Sequence, residues 1–383
     1  MRLLVVGNSY LTAFAQRKYV EMKRLDPGLE LRLLTPRAVP HLFQRYEREC
    51  ASGLSAAEVI DIREFFGRSH MTYVFDPLHF ARVLREFRPH RIHIEEDPHS
   101  AVGLETVLLA RLICPTAKIS FFIWDNLARV PGFPLNIVKR LLTRYCLKRT
   151  ELVVCGNDEG ERLLREKKGY AGRAVVLPQL GLEPEPYLAP LVRPLKDELS
   201  IPPGVVLLGF LGRLVPEKGI LLLLEAVQRL EQANWRLLVV GSGPLEAEIE
   251  GKWQEVLGER LLFRRAVPRT EVTDYMKALD ILILPSYGTP RWKEQFGLVL
   301  AMAMMAGVPC VGSSSGAIPE VMGPGGLVFR EQDAADLASV LERLLADTDL
   351  RRELGAAARD FALRHYTHEV VGRAYLEQWG ETP

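Results

Sequence analysis

The residues best suited to chemistry lie around position 294, just after a short apolar segment that is predicted to be a strand. There Glu294-Gln-Phe-Gly297 opens an apolar, small-residue run that predicts a helix. A helix that starts past the carboxyl end of a strand presents unpaired N–H groups and the positive end of its dipole. Such an end can hold a phosphate, and a carboxylate beside it can accept hydrogen bonds from sugar hydroxyls. The segment therefore predicts a site for a phosphorylated sugar.

Two cations flank an earlier predicted turn, Gly212-Arg-Leu-Val-Pro-Glu-Lys-Gly219, which lies between a strand and a helix. Arg213 and Lys218 could neutralise a pyrophosphate there, because glycines at both ends let the backbone approach a ligand closely. Two ordinary surface cations are the alternative.

Two further turns follow predicted strands, and each is a weaker signal. Val239-Val-Gly-Ser-Gly-Pro-Leu245 contains a Gly-x-Gly turn, which steric needs alone can explain. Gly312-Ser-Ser-Ser-Gly-Ala-Ile-Pro-Glu320 contains Ser315 and is compatible with a simple helix cap and loop.

These motifs need strands and helices to position them, and the chain supplies two series of apolar runs separated by helix-like stretches. Such alternation predicts doubly wound parallel sheets, and two series predict two Rossmann-like domains. The expected strands are Leu3–Val6, Leu31–Leu34, Arg91–Ile94, Ile119–Ile123, Leu152–Cys155 and Ala174–Leu177, then Val205–Leu211, Trp235–Val240, Leu261–Phe263, Ile281–Leu284, Pro309–Val311 and Leu327–Phe329. Six prolines between positions 184 and 203 predict an irregular linker between the two series.

In this order the motifs resemble those of family-four retaining glycosyltransferases, across residues 205–320. The resemblance implies a GT-B fold, an α/β architecture of two Rossmann-like doubly wound parallel-sheet domains facing across a cleft. Residues 1–190 would form the acceptor side and residues 191–366 the nucleotide-sugar side, with a last helix over 367–380 packing back on the first domain.

By the same resemblance, Arg213 and Lys218 would neutralise the donor pyrophosphate and Glu294 would orient the donor sugar. One departure stands out, since Met302 occupies the position of the family's second motif glutamate, which typically binds the ribose. The remaining implied donor-binding residues are Gly212, Gly241, Gly243, Gln295, Phe296, Gly297 and Ser315.

The implied reaction moves a sugar from a nucleoside diphosphate to a hydroxyl of a glycan, a glycolipid or a small molecule, by a front-face mechanism. No metal and no cofactor beyond the nucleotide sugar are expected, and no nucleic acid partner. A non-catalytic or altered-donor relative stays open because of Met302. A dehydrogenase is disfavoured, because no Gly-x-Gly-x-x-Gly follows the first strand.

The N-terminal half matches less closely, with a single glycine in Gly7-Asn-Ser-Tyr10 after the first strand. His93 is a catalytic candidate by resemblance, and a core histidine between two isoleucines is the alternative. Glu95 and Glu96 invite a double-displacement interpretation, although a solvated loop is favoured. The acceptor-side candidates are Asn8, Ser9, Glu96, His99 and Trp124, the last of which could equally serve packing.

Charge and composition limit where in the cell the protein is expected to act. The net charge is +1, but residues 1–190 carry 28 Lys and Arg against 22 Asp and Glu, a net +6. Residues 133–150 form an amphipathic basic segment without acids, which predicts either a solvated face or contact with anionic lipid. Five scattered cysteines and no membrane-spanning run predict a cytosolic protein, with peripheral contact at the inner membrane face left open. Asp347-Thr-Asp349 is expected to be a loop between helices.

Overall fold

The computed structural model describes residues 1–37, 49–66, 71–128, 135–190 and 193–380, and the chain divides into two compact units. The first unit comprises Met1–Gly181 and His368–Pro383, and the second comprises Leu182–Thr367. The boundary thus precedes residue 182 rather than following residue 190.

The first unit contains a seven-stranded parallel sheet with the order β3-β2-β1-β6-β7-β8-β9 and a small antiparallel pair, β4-β5. Its strands are β1 Arg2–Val6, β2 Glu30–Pro36, β3 Val59–Ile62, β4 Glu64–Phe65, β5 Val74–Phe75, β6 Arg91–Ile94, β7 Lys118–Ile123, β8 Leu152–Cys155 and β9 Arg173–Val176. Its helices before the boundary are α1 Ala13–Leu25, α2 Pro77–Phe87, α3 Ala101–Ile113, α4 Leu135–Leu147 and α5 Asp158–Glu166.

The second unit contains a six-stranded parallel sheet with the order β12-β11-β10-β13-β14-β15. Its strands are β10 Val206–Leu211, β11 Trp235–Val240, β12 Leu261–Arg264, β13 Ile281–Leu284, β14 Cys310–Ser313 and β15 Gly326–Phe329. Its helices are α6 Glu185–Leu188, α7 Leu195–Glu198, α8 Ile220–Val227, α9 Glu246–Glu248, α10 Gln254–Leu257, α11 Arg269–Ala278, α12 Leu298–Met305, α13 Ile318–Met322, α14 Ala334–Ala346 and α15 Thr348–His365.

The last helix, α16 (His368–Gln378), belongs to the first unit. Its Tyr375 and Leu376 are buried in the same apolar cluster as Leu3 and Val5 of β1. Gly372 faces α1, where an added Cβ would lie 3.3 Å from the carbonyl oxygen of Lys18. A small residue therefore allows this helix to approach α1 closely.

All twelve expected strands are present, because parallel strands covered on both faces are continuous apolar runs. Three strands were missed, namely β3, β4 and β5. The first of them lies at the edge of its sheet and reads Val-Ile-Asp-Ile, and the other two are only two residues long. Short or edge strands carry little apolar signal.

Two other expectations need correction. The proline-rich segment is not wholly irregular, since it contains the single-turn helices α6 and α7. It also packs within the second unit, where the Lys277 ammonium donates hydrogen bonds to the carbonyls of Ala189 and Pro190. The helix after Glu294 starts only at Leu298, with Gly297 as its N-cap at φ +78°. Residue Glu294 is therefore in the loop and not in the first turn.

In both sheets the strand order reverses between the first strand and its neighbour, at β1/β6 in the first unit and at β10/β13 in the second. Connections leave such a pair in opposite directions and open a crevice at the strands' carboxyl ends, where ligands of open α/β sheets bind. Most of the candidate residues follow these four strands.

We predict that Gly219 fixes the loop after β10. Its φ is +71°, and an added Cβ would lie 2.0 Å from the carbonyl oxygen of Pro285. Gly219→Ala should lower the free energy of unfolding by about 2–4 kcal/mol, measured by urea denaturation followed by circular dichroism. The control is Gly251→Ala, because Gly251 has no atom within 4 Å of such a Cβ. Equal denaturation midpoints for Gly219→Ala and wild type would contradict the prediction.

Candidate functional site

In the second unit, Lys218 and Glu294 are directly bonded. The Lys218 ammonium lies 2.6 Å from a carboxylate oxygen of Glu294, which also accepts a hydrogen bond from the Ser286 hydroxyl at 3.0 Å. The side chains of the pair are only 16% and 9% exposed. The same ammonium lies 4.8 Å from the ring centroid of Trp292. The Lys218 ammonium is therefore held at the end of β13 by an aromatic face and by a carboxylate that is itself held by a hydroxyl.

The loop after β14 joins this group. The amide of Ala317 donates to the carbonyl of Glu294 at 3.2 Å, and the Ser313 hydroxyl donates to the carbonyl of Ser286. Ser315 is 1% exposed, and its hydroxyl has no hydrogen-bond partner within the described part of the chain. It lies 3.5 Å from where a Cβ on Gly288 would be. The Ser315 hydroxyl, which has no partner among the described residues and lies beside a residue without a side chain, could therefore bind a ligand.

The Gly-x-Gly turn meets the loop after β10. A Cβ on Gly241 would lie 1.9 Å from the carbonyl oxygen of Gly212, and one on Gly243 would lie 2.5 Å from that of Leu214. Both glycines are therefore required sterically, whatever they bind. Arg213, next to Gly212, is exposed. The structure thus brings all four motifs of the second half together at the β10/β13 crevice.

The remaining donor-side candidates are placed by α12 and the residues before it. The ring of Phe296 packs edge-on against Tyr366, with centroids 5.4 Å apart, which anchors the segment. Gln295 and Met302 are both partly exposed, whereas Ala301 and Ala303 beside Met302 are buried. Met302 therefore lies on the less covered side of its helix.

In the first unit, the crevice at β1/β6 contains a buried ion pair. Glu95 lies 2.9 Å from the Lys18 ammonium, and it also accepts hydrogen bonds from Tyr19 at 2.7 Å and Gln179 at 2.5 Å. Burial alone would raise the pKa of Glu95, but the Lys18 charge and the neighbouring His93 hold it well below its usual range. Glu95 is therefore a buried, fully bonded carboxylate, and the expectation of a solvated loop at this position is wrong.

His93 is completely buried on β6, on the same side as that ion pair. Its Nδ1 lies 2.9 Å from the Ser120 hydroxyl, and its ring packs edge-on against Tyr375 and Trp379. Burial lowers its pKa, which favours the neutral imidazole. This environment supports the core-histidine interpretation over the catalytic one.

Glu96 faces other partners than Glu95 does. One of its oxygens accepts hydrogen bonds from the Tyr73 hydroxyl at 2.8 Å and from the Asn8 amide at 3.0 Å. Burial, reinforced by the charges of Asp97 and Glu95, raises the pKa of Glu96 to about 8. Ser9 and His99, like Asn8, are partly exposed. At neutral pH the carboxyl group of Glu95 is thus ionised, whereas the adjacent one of Glu96 is mostly protonated.

Trp124, the last acceptor-side candidate, is tied to the same interior. Its indole N–H donates to the side-chain oxygen of Gln179 at 3.0 Å, and its ring packs against Phe122 with centroids 4.9 Å apart. These contacts account for a packing role, which the sequence left equally open.

Several of these partners were not found from the sequence, namely Lys18, Tyr73, Gln179, Ser286 and Trp292. Most pair with residues far away in the chain, as Gln179 does with Glu95, 84 positions earlier. A usable signal existed only for Ser286 and Trp292, which lie in the segment between β13 and Glu294.

The described residues contain no group of three or more His, Cys, Asp and Glu placed to hold a metal ion. Asp347 caps α15 by accepting a hydrogen bond from the Leu350 amide at 2.8 Å. Thr348 and Asp349 already belong to α15, so only Asp347 lies between the two helices and the expected three-residue loop is wrong. None of the helices in the described ranges is long and apolar enough to cross a membrane.

Two solved structures illustrate the fold that this chain shares with known proteins. The chain superposes on a glycosyltransferase from Rickettsia africae with a TM-score of 0.74 and 15% identity, covering 99% of this chain and 98% of that one. For Anabaena HepE in complex with UDP, the TM-score is 0.73 and the identity 16%, over 99% and 100% of the two chains. These matches confirm the predicted GT-B fold.

Residues 193–361, which make up most of the second unit, match the model of the family "Glycosyl transferases group 1". The D-inositol 3-phosphate glycosyltransferase of Stackebrandtia nassauensis is 31% identical over 58% of this chain and 53% of its own length. The 2-deoxystreptamine glucosyltransferase of Streptomyces kanamyceticus is 28% identical over 71% and 75%. The chain thus spans about half the length of the first of these relatives, and the resemblance predicted from the motifs is confirmed.

We predict that the protonated state of Glu96 makes stability depend on pH. Between its ordinary pKa of 4.5 and its folded-state value of about 8, the folded chain binds one proton more than the unfolded chain. The contribution of this bound proton to the free energy of unfolding is therefore present at low pH, and it is lost as pH rises through this window. Glu96→Gln should gain on the order of 4 kcal/mol in unfolding free energy relative to wild type between about pH 5 and 8.5, measured by denaturant titration.

The control for that experiment is Glu58→Gln, because the pKa of Glu58 is lowered by its bonds to Lys23 and Ser55 despite partial burial. Its difference from wild type should stay constant over the same pH range. A constant difference for Glu96→Gln as well would show that Glu96 is ionised throughout.

Proposed function

We propose that this protein is a retaining glycosyltransferase, specifically a hexosyltransferase. It transfers a sugar from a nucleoside-diphosphate sugar to an acceptor hydroxyl without a metal ion. The observation that carries the proposal is the convergence of Arg213, Lys218, Glu294 and Ser315 at the β10/β13 crevice. These groups match the two halves of such a donor, since cations suit the pyrophosphate and a carboxylate suits sugar hydroxyls.

The comparisons support the same donor class. The HepE structures were solved with UDP and with UDP-glucose, and the two relatives are named as transferases of sugars. In this chain, the side chain of Lys218 is mostly buried and is oriented by Glu294. An arriving pyrophosphate therefore meets a preorganised cation, and the exposed Arg213 adds a second one with a planar fork of donors.

In the proposed front-face reaction, the bond from the sugar's anomeric carbon to the phosphate oxygen breaks while the bond to the acceptor oxygen forms on the same side. The acceptor's proton passes to the departing phosphate oxygen. The negative charge that develops on the leaving pyrophosphate is the quantity to be stabilised, which is an electrostatic task for Lys218 and Arg213. Glu294 holds the sugar so that its anomeric carbon stays aligned with the acceptor oxygen.

The acceptor is a compound with a free hydroxyl, either a glycan, a lipid-linked sugar or a small molecule. The acceptor-side residues of the first unit stay predictions, and Asn8, Ser9, His99 and Trp124 are the partly exposed ones. Glu96 contacts the amide of Asn8, so it would act on an acceptor by positioning that backbone.

The first test of this function removes the two cations one at a time. Arg213→Ala and Lys218→Ala should each remove roughly 2–4 kcal/mol of transition-state stabilisation. The loss is measured as a fall in kcat/KM for sugar transfer from the donor. Arg229→Ala, at an exposed cation just after α8, is the matched control and should leave kcat/KM unchanged. If both loop variants keep near-wild-type transfer, the pyrophosphate is bound elsewhere.

Met302 favours a second candidate, a sugar-nucleotide-binding relative with altered donor use or without catalysis. A thioether is only a weak hydrogen-bond acceptor, so the proposed site would hold the ribose less firmly than a carboxylate would. Detection of transferred sugar in the product distinguishes the enzyme from a binding protein.

The role of Met302 predicts little discrimination between ribo- and 2′-deoxyribonucleotide donors in wild type. Met302→Glu should create a preference for the ribonucleotide of about tenfold or more, since each hydrogen bond to a charged group contributes about 1.5–3 kcal/mol. Met302→Leu is the control and should behave as wild type, and calorimetric titration measures all three. Strong discrimination by wild type would show that another residue reads the ribose.

A further inference from the structure

The first unit carries an unusual concentration of exposed apolar side chains. Eleven large hydrophobic residues in the described ranges are exposed, and eight of them belong to this unit. Five of the eight lie on α3 and α4 and define what we term the α3–α4 surface, namely Leu108 (47%), Leu112 (78%), Ile137 (48%), Val138 (51%) and Leu141 (62%).

The two helices present these residues on the same side of the unit. Val107 of α3 and Cys146 of α4 are buried in one apolar cluster, so both helices cover the same face of the sheet. The helices also contact each other. Their outward sides therefore form one surface.

The outward side of helix α4 carries apolar residues near its N-terminal end and cations near its C-terminal end. Residues four or three apart fall on one helical stripe, and the outermost stripe of α4 is Ile137, Leu141 and Arg144. Lys148, directly after the helix, extends it, and all four residues are exposed. On the opposite side of the helix, Thr143 and Cys146 are buried. The stripe thus runs from apolar residues to cations, with Arg140 adding a further exposed charge beside it.

The charged side chains that are exposed on α3 and α4 are all cations. Residues 135–150 contain no Asp or Glu, and α3 adds the exposed Arg111 between Leu108 and Leu112. Of the two cations at the end of the basic segment, Arg149 lies over the ring of Tyr145 at 3.7 Å and does not point outward with Lys148. Residues 133 and 134 of the basic segment lie outside the described residues.

We propose that the α3–α4 surface docks peripherally on an anionic lipid surface. Leucine and isoleucine side chains between cations match the boundary of a bilayer, where apolar groups enter the acyl region and Lys and Arg reach the phosphates. A second copy of this chain fits less well, because the contact would enclose Arg140, Arg144 and Lys148 of both copies, and residues 135–150 offer no acid to pair with them. Charge complementarity therefore selects the lipid.

Vesicle co-sedimentation of the full chain tests this docking, without donor or acceptor, so that its outcome is independent of the proposed reaction. The vesicles are phosphatidylcholine alone or phosphatidylcholine with phosphatidylglycerol. Wild type should sediment with the anionic vesicles and not with the neutral ones. Binding should fall as salt is raised, since exposed charges are screened within about 8 Å at physiological ionic strength.

Two double variants separate the apolar and charged contributions. Ile137→Ser with Leu141→Ser should lower the partition coefficient about tenfold or more. Arg144→Gln with Lys148→Gln should lower it about thirtyfold, since each cation near such a surface contributes about fivefold. Val256→Ser with Val328→Ser is the matched control in the second unit, because these residues are 51% and 46% exposed. All the substituted residues are exposed, and unchanged thermal unfolding verifies that each variant folds.

Three results would overturn the proposal. The first is absence of wild-type binding to anionic vesicles at low salt, and the second is wild-type binding that neither double variant reduces. The third is self-association of wild type, seen by sedimentation velocity, that Ile137→Ser with Leu141→Ser abolishes while vesicle binding is absent. In that last case the α3–α4 surface is an interface between copies of this chain.

Discussion

The ion pair between Lys218 and Glu294 is the contact on which the organisation of the second unit's crevice depends. Lys218 belongs to the loop after β10, and Glu294 to the segment after β13. The backbone of Glu294 also holds the loop after β14 through Ala317. A charge that is mostly removed from water needs a partner, because an unpaired charge of this kind costs several kcal/mol. The pair therefore fixes the three loops relative to one another before any ligand arrives.

This arrangement makes the roles of the two residues interdependent. An ammonium has three donors, so Lys218 can bind a phosphate oxygen while it keeps its bond to Glu294. The Ser286 hydroxyl holds the same carboxylate oxygen from another direction. Loss of Glu294 would leave the Lys218 cation without its carboxylate partner and strengthen its attraction for phosphate, while removing the proposed contact to the sugar. Substitution of this residue should thus affect donor binding and transfer by different amounts.

The fold could be predicted from the sequence far better than the contacts could. Parallel strands buried on both faces, such as β10 and β13, are continuous apolar runs that local patterns reveal. The order of the motifs was enough to place Lys218, Glu294 and Ser315 at one crevice. The partners of the first unit could not be predicted in this way, because Lys18 and Gln179 meet Glu95 only through tertiary packing, and neither lies in a recognisable pattern.

The first unit's two adjacent glutamates show what such packing decides. Glu95 has an ammonium, a phenol and an amide as hydrogen-bonding partners and stays ionised, whereas Glu96 has only neutral donors and carries a raised pKa. A nucleophile for double displacement needs an ionised oxygen with access to substrate. Glu95 is ionised but enclosed, with both of its oxygens bonded, and Glu96 is mostly protonated at neutral pH. Neither carboxyl group has both properties, which supports the proposed mechanism without a covalent intermediate over double displacement by this pair.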